Sequence, residues 1–137
     1  MSVLARLRGE SQMEYLATAS KLETYTIYRA TKDIPKAYTF TLKNQLCASA
    51  RKINQYVTYA EATMVKQGDT PASEKRLSYL ASAYAETKNL LEILKQCDEI
   101  LTIKETVLED WVCLIVKEQS AIAKERKSLI DRFKVKD

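Results

Sequence analysis

The side chains able to do chemistry in this chain of 137 residues are cysteines, carboxylates, lysines and arginines, because it contains no histidine. That absence removes His-based triads, Cys–His pairs, imidazole metal ligands and the Glu-x-x-His pairs of di-iron bundles. With two glycines, the chain also has no Gly-rich loop that could hold a phosphate. We therefore predict that the protein is not an enzyme and uses no cofactor and no metal.

The three cysteines, Cys47, Cys97 and Cys113, have no Cys-x-x-Cys spacing, and each lies in a helical pattern. Reduced packing residues explain them best, which fits a cytoplasmic protein. The N-terminus has no continuous apolar segment, and the longest apolar run, Trp111 to Val116, is too short to span a bilayer. We expect neither secretion nor a membrane partner.

One enzymatic alternative stays open. All-helical chorismate mutases catalyse a pericyclic reaction with Arg, Lys, Glu and Gln side chains, and Gln119 with Arg126 loosely resembles half of such a site. An inward polar pair in a helical bundle more often specifies helix register or oligomeric state. We favour that structural role for the pair.

The basic residues give the stronger functional signal, and the net charge of +4 permits contact with nucleic acid. The candidate nucleic-acid-binding residues flank the first turn, continue along the second helix and begin the third. They are Lys36, Lys43, Arg51, Lys52, Lys75 and Arg76. A second cluster near the C-terminus comprises Lys124, Arg126, Lys127, Arg132, Lys134 and Lys136. A solvated charged face would have the same composition, so both interpretations stay open.

The elements that position these residues are helices, because two glycines and two prolines are too few for the turns of a sheet protein. Apolar spacing predicts helices over about 13–31, 38–66, 71–101 and 103–132. Asp33-Ile34-Pro35 ends the first helix. Gly68 in a left-handed conformation, Thr70 as N-cap and Pro71 form the second turn, and a capping box from Thr102 to Glu105 forms the third.

These helices predict an all-α, antiparallel, up-down-up-down four-helix bundle of one domain, residues 1–137, with a weakly ordered segment at 1–12. The predicted core stripe of the second helix is Leu42, Leu46, Ile53, Val57, Ala60 and Met64. That of the third is Leu77, Leu80, Tyr84, Thr87, Leu91, Leu94, Asp98 and Leu101. That of the fourth is Leu108, Val112, Ile115, Ile122, Leu129 and Phe133, interrupted by Gln119 and Arg126.

The segment from Trp111 to Val116 is apolar on every side of the fourth helix, more than one bundle face can cover. A second buried surface would explain it. We therefore predict self-association, with Trp111, Cys113 and Leu114 in the oligomer interface.

A family resemblance rests on residues 31–42, TKDIPKAYTFTL, on the heptads Leu77-Ser78-Tyr79-Leu80 and Leu90-Leu91-Glu92-Ile93-Leu94, and on Trp111. The chain after about residue 12 resembles a family of four-helix bundles with two groups. One comprises the accessory variability determinant proteins of diversity-generating retroelements, and the other the proteins encoded in intervening sequences of large ribosomal RNA.

The resemblance implies a pentameric barrel of bundles that binds nucleic acid, either RNA or DNA, and the reverse transcriptase of the element. The protein would then be a noncatalytic accessory protein of a bacterial or phage retroelement. The alternative is a structural protein-interaction bundle of the intervening-sequence type, with no nucleic-acid role.

Overall fold

The computed structural model describes residues 10–66 and 68–133. In these residues the chain forms four long α-helices and no strand: α1 (Glu10–Asp33), α2 (Asn44–Ala62), α3 (Thr70–Leu101) and α4 (Glu105–Phe133). Each helix packs against its neighbours in sequence, and α4 packs back against α1. Short connections make successive helices antiparallel, so the prediction of a four-helix, all-α architecture is confirmed for the described residues.

The N-terminal boundary differs from the prediction. Helix α1 already includes residues 10–12, which were expected to belong to a weakly ordered segment. The rest of that segment, residues 1–9, lies outside the described residues.

The predicted core of α2 is correct from its first turn to Ala60. Leu42, Leu46, Ile53, Val57 and Ala60 are all buried. Met64 is the exception and is 80% exposed. The reason is that α2 ends at Ala62, four residues before the predicted boundary, where Thr63 adopts an extended conformation.

In part of α3, the buried residues lie one position before the predicted ones. Leu77, Leu80, Thr87 and Leu94 are buried as predicted. Tyr84, however, is exposed and Leu91 is half-buried, while Ala83 and Leu90 occupy the core. Both choices satisfy helical spacing, so periodicity alone could not separate them. The small Ala83 side chain is compatible with the close packing of α3 against α2, where the Ser49 hydroxyl lies 3.4 Å from the Glu86 carbonyl.

The same shift occurs on α4. Val107 and Trp111 are buried, whereas Leu108 and Val112 are half-buried. Downstream, the polar residues that face the core are therefore Glu118 and Glu125 rather than Gln119 and Arg126. Their neighbours Ile115, Ile122 and Leu129 are buried as predicted.

The first turn contains two irregular helical segments before α2 begins. Pro35, with φ −62° and ψ 153°, leads into a 3₁₀ helix over Lys36–Tyr38, and a π-helix over Thr39–Lys43 follows. The Tyr38 amide donates to the Pro35 carbonyl at 2.9 Å, which closes the turn. The second helix thus starts near the predicted residue but becomes α-helical only at Asn44.

The other two turns lie where they were predicted but use different contacts. Gly68 has the expected positive φ of 86°, yet the N-cap of α3 is Asp69 rather than Thr70, and its carboxylate accepts from the Ala72 amide at 3.1 Å. Thr102 does not form the predicted capping box. It is the left-handed C-cap of α3, with φ 53°, and the Asp98 carboxylate accepts from the Ile103 amide at 2.9 Å.

Candidate nucleic-acid interface and buried charge network

The two halves of the bundle differ in charge. The first hairpin comprises α1, α2 and their connection, and its described side chains, residues 14–66, hold eight Lys and Arg against four Asp and Glu. The second hairpin, residues 68–132, holds ten Lys and Arg against twelve Asp and Glu. Basic character is therefore concentrated on the first hairpin.

Burial makes this difference larger at the surface. Within residues 14–66, each carboxylate of the first hairpin is at least half-buried and makes an ion pair. The pairs are Glu14–Lys124 at 3.5 Å, Glu23–Arg51 at 3.8 Å, Asp33–Arg29 at 3.0 Å and Glu61–Arg76 at 3.3 Å. The exposed carboxylates of the described residues all belong to the second hairpin: Asp69, Glu74, Glu92, Glu99, Glu105, Glu109, Asp110 and Asp131.

The exposed cations of the first hairpin include three of the candidate residues from the sequence. Lys36 lies in the turn, and Arg51 and Lys52 lie on α2, all exposed. Lys43, at the end of the π-helix, is half-buried. Lys75 is exposed as well, but it starts α3 at the opposite end of the bundle, about 28 Å from the first turn along α2. The candidates therefore form an extended surface rather than one cluster.

An open groove of about 400 Å³ runs along this surface between α1 and α2. Its lining is polar, with Glu23, Arg51, Lys52, Asn54, Gln55, Thr58 and Tyr59. The Glu23 carboxylate at its base accepts from the Asn54 amide at 2.7 Å and faces the Arg51 guanidinium. Because the charges of Glu23 and Arg51 offset each other, Lys52 gives the groove a net positive charge.

Arg76 is wrong as a surface nucleic-acid contact, because it is buried. Its Nη2 atom lies 3.2 Å from Glu125 of α4, 3.3 Å from Glu61 of α2 and 3.5 Å from the Tyr15 hydroxyl of α1. The Tyr15 hydroxyl also donates to Glu61 at 2.9 Å. One guanidinium of α3 thus contacts the other three helices and has no free surface for a phosphate.

Glu125 is the buried acceptor of two cations. Arg132, two turns further along the same face of α4, donates to the same Glu125 oxygen as Arg76, at 3.2 Å. Burial raises the pKa of Glu125, and the guanidiniums of Arg76 and Arg132 offset part of that rise. Sequence reasoning missed this network because it placed Arg76 outside and Glu125 off the core stripe.

Glu118 is the second buried carboxyl group that the sequence did not reveal. It is fully buried, and neither of its oxygens has a hydrogen-bond partner in the described part of the chain. Burial, with a smaller contribution from the nearby Glu14, raises its pKa to about 9. At neutral pH this carboxyl group is therefore protonated in the folded protein.

The predicted oligomer interface divides into a buried and an exposed part. Trp111 is wrong as an interface residue, because it is fully buried within its own bundle and donates to the Thr26 hydroxyl at 3.0 Å. Its ring also meets Tyr25 edge-on, with centroids 5.9 Å apart. Cys113 is exposed and Leu114 is half-buried, so the bundle covers much of the apolar segment by itself.

The candidate enzymatic pair and the C-terminal basic cluster also differ from their predictions. Gln119 and Arg126 are half-buried and do not form the inward pair on which the enzymatic alternative rested. In the C-terminal cluster, Lys124 and Arg132 are engaged by Glu14 and Glu125, and Lys134 and Lys136 lie outside the described residues. Lys127 remains exposed.

Comparisons with protein-family models, with curated proteins and with solved structures found no significant match. Within residues 10–66 and 68–133, no helix is long and apolar enough to cross a bilayer. The same residues contain no group of three or more Cys, Asp or Glu side chains that could hold a metal ion.

The Arg76 network predicts a large stability difference between two adjacent positions. Arg76→Met should lower the free energy of unfolding by about 3 kcal/mol, because it removes the buried cation that Glu61 and Glu125 share and leaves the buried Glu125 with Arg132 alone. Lys75→Met, the exposed neighbour, should change it by less than about 0.5 kcal/mol. Adding Glu125→Gln to Arg76→Met should restore part of the loss in urea unfolding at pH 7. Equal, small losses at both positions would contradict the network.

Glu118 predicts a pH dependence. Its pKa in the folded state, about 9, is above the reference value of 4.5, so the folded state holds a proton that the unfolded state has released between these values. Stability should therefore fall as pH rises through that window, with a limiting slope of about 1.4 kcal/mol per pH unit. Glu118→Gln should flatten the profile, and the exposed Glu99→Gln should not. Parallel profiles for Glu118→Gln and the unmodified protein would refute the assignment.

Proposed function

We propose that this protein is a noncatalytic bundle that binds nucleic acid through the exposed surface of its first hairpin. The observation that carries the proposal is the separation of charge between the hairpins. Cations are exposed on the first hairpin, while each of its described carboxylates is paired. A polyanion that approaches residues 14–66 of this surface therefore meets exposed cations, and the carboxylates there are already paired.

The geometry favours contacts to phosphates rather than to base edges. Lys36, Arg51 and Lys52 are long side chains spread along the exposed surface of the first hairpin, which suits charges that repeat along a backbone. Such contacts position a nucleic acid without reading its sequence. Binding is therefore sequence-independent and weakens steeply with salt.

The biological setting of the proposal comes from the family resemblance of residues 31–42. In that setting the protein acts in the bacterial or phage-infected cytoplasm as the accessory protein of a diversity-generating retroelement. It binds the template RNA or its DNA copy together with the reverse transcriptase. In the fold, this segment forms the Pro35 break and the helical turn that follows it.

The proposal includes a homo-oligomer, and the family resemblance sets its size at five subunits. Cys113, Leu114 and Val116 provide an apolar surface on α4 for the contact, since Cys113 and Val116 are exposed. A single mass corresponding to one chain in light scattering at micromolar concentration would overturn this part.

The second candidate function is a protein-interaction bundle with no nucleic-acid role. The observation that favours it is that the basic first hairpin and the acid-bearing second hairpin are complementary in charge. Copies of one chain could therefore associate head to tail, with the first hairpin of one copy against the second hairpin of the next. In that case the basic surface would be covered in the assembly.

Charge reversal on the first hairpin tests the principal proposal. Lys36→Glu combined with Lys52→Glu should reduce affinity for a labelled oligonucleotide at least about tenfold and make binding less salt-dependent, because phosphate contacts are lost. The measurement is fluorescence anisotropy over a salt series, with circular dichroism as the check on folding.

The matched control reverses two exposed lysines of α4, Lys117→Glu and Lys127→Glu, which changes net charge equally. This control should lose much less affinity. Equal losses would mean that net charge alone drives binding. The Lys36→Glu, Lys52→Glu variant would support the interaction bundle instead if it bound nucleic acid as the unmodified protein does but no longer formed the oligomer.

The accessory role predicts a dependence on this protein in cDNA synthesis. We expect a reverse transcriptase gene nearby, copurification of its product with this protein at moderate salt, and loss of cDNA from the template RNA when this protein is removed. The Lys36→Glu, Lys52→Glu variant should not restore synthesis, and the α4 control variant should. Undiminished cDNA synthesis without the protein would contradict the accessory role. Nucleic-acid binding is tested separately, by the anisotropy measurements.

A further inference from the structure

Phe40 is the most exposed large apolar side chain of the described residues, with 82% of its surface accessible. It lies in the π-helix of the first turn, one residue into the segment Thr39–Lys43. The bundle buries little of this ring. An aromatic side chain held outward on a folded turn is a ready contact for a partner.

The ring also differs from the other aromatic side chains that the structure describes. Tyr28 has Lys32 at 5.1 Å and Arg29 at 5.6 Å from its centroid. Tyr59 packs against Tyr79, and Tyr84 has Lys88 at 5.5 Å. The other aromatic side chains within residues 14–132 are buried or lie against the core. Among the aromatic side chains of residues 14–132, only Phe40 presents ring faces without a ring, cation or core contact.

The surroundings of Phe40 are basic. Lys36 lies four residues before it, in the 3₁₀ helix, and Lys43 lies three residues after it, at the end of the π-helix. Lys32, at the end of α1, is also exposed, and the nearest described carboxylate in the sequence, Asp33, is held by Arg29 at 3.0 Å. A free aromatic face therefore lies among cations and without an exposed acid beside it.

An aromatic face with flanking cations matches the chemistry of an unpaired nucleotide. The base stacks on the ring, and the phosphates on either side meet the ammonium groups. A base pair inside a duplex offers no free face to such a ring, because both of its faces are stacked on neighbouring pairs. The ring thus distinguishes single strands from duplexes, which the charges alone do not.

We infer that Phe40 is a stacking site for an unpaired base, and that the first hairpin consequently prefers single-stranded RNA or DNA over a duplex. This inference rests on the proposed nucleic-acid binding and specifies its substrate. Lys36 and Lys43 hold the phosphates next to the stacked base.

The test compares Phe40→Ala and Phe40→Leu with the unmodified protein on an oligothymidylate and on a duplex of equal length. Both variants should lose about tenfold in affinity for the single strand, with duplex binding changed by less than about twofold. Phe40→Leu is informative because it keeps apolar bulk but removes the ring face. Tyr84→Ala, an exposed aromatic position on the second hairpin, should leave both affinities unchanged.

A spectroscopic variant gives a direct readout. In Phe40→Trp the new indole should be quenched on adding the oligothymidylate and not on adding the duplex. Trp111, which is buried and hydrogen-bonded, supplies the constant background measured in the unmodified protein.

The outcomes separate this inference from the proposed function. Single-strand binding by Phe40→Ala or Phe40→Leu equal to that of the unmodified protein would overturn the stacking site while nucleic-acid binding stands. A change in subunit number in Phe40→Ala would overturn it too, by assigning the ring to a contact between copies. If the unmodified protein binds neither probe more tightly than its Lys36→Glu, Lys52→Glu variant, the proposed function itself fails.

Discussion

The arrangement of the four helices depends most on the contacts of Arg76. Its guanidinium is buried and contacts one side chain on each of the other helices, Tyr15, Glu61 and Glu125. A hydrophobic core allows neighbouring helices to slide or rotate at small cost, because apolar contacts are not directional. Charged hydrogen bonds are directional, and a buried carboxylate left unpaired is costly. The network therefore favours one register of the bundle, and with it one distribution of surface charge.

That register determines which residues can function at the surface. Burial of Arg76, which pairs with the half-buried Glu61, removes a cation from the outside of the bundle and neutralises a carboxylate. The other described carboxylates of the first hairpin also pair with cations, whereas eight of the twelve in the second hairpin stay exposed. The buried network and the basic surface are thus consequences of the same packing. A protein with the same composition in a shifted register would have lost this separation of charge.

Much of the fold could be predicted from the sequence, because helix period and scarce breakers are local properties. Pro35 and Gly68 marked two turns, and the apolar stripe of α2 was read correctly from Leu42 to Ala60. The register of α3 and α4 could not be predicted, since Leu90 and Leu91, or Trp111 and Val112, satisfy the same spacing. For α4, the packing of Trp111 against Tyr25 and Thr26 resolves that choice.

Whether a basic residue is exposed could likewise be predicted where helical position decides it, and not where contacts with other helices decide it. Lys36, Arg51 and Lys52 are exposed because their own helical positions face outward, which the sequence indicates. Arg76 has an equally basic neighbour, Lys75, and nothing within α3 shows that one faces water and the other meets Glu61 and Glu125 from two other helices. Phe40 was not a candidate, although it lies two residues from the buried Leu42, a spacing that puts the two side chains on opposite faces of a helix. Its exposure in the π-helix at Thr39–Lys43 agrees with that spacing. The outward position of this ring was thus predictable from local spacing, whereas the burial of Arg76 depends on contacts with other helices.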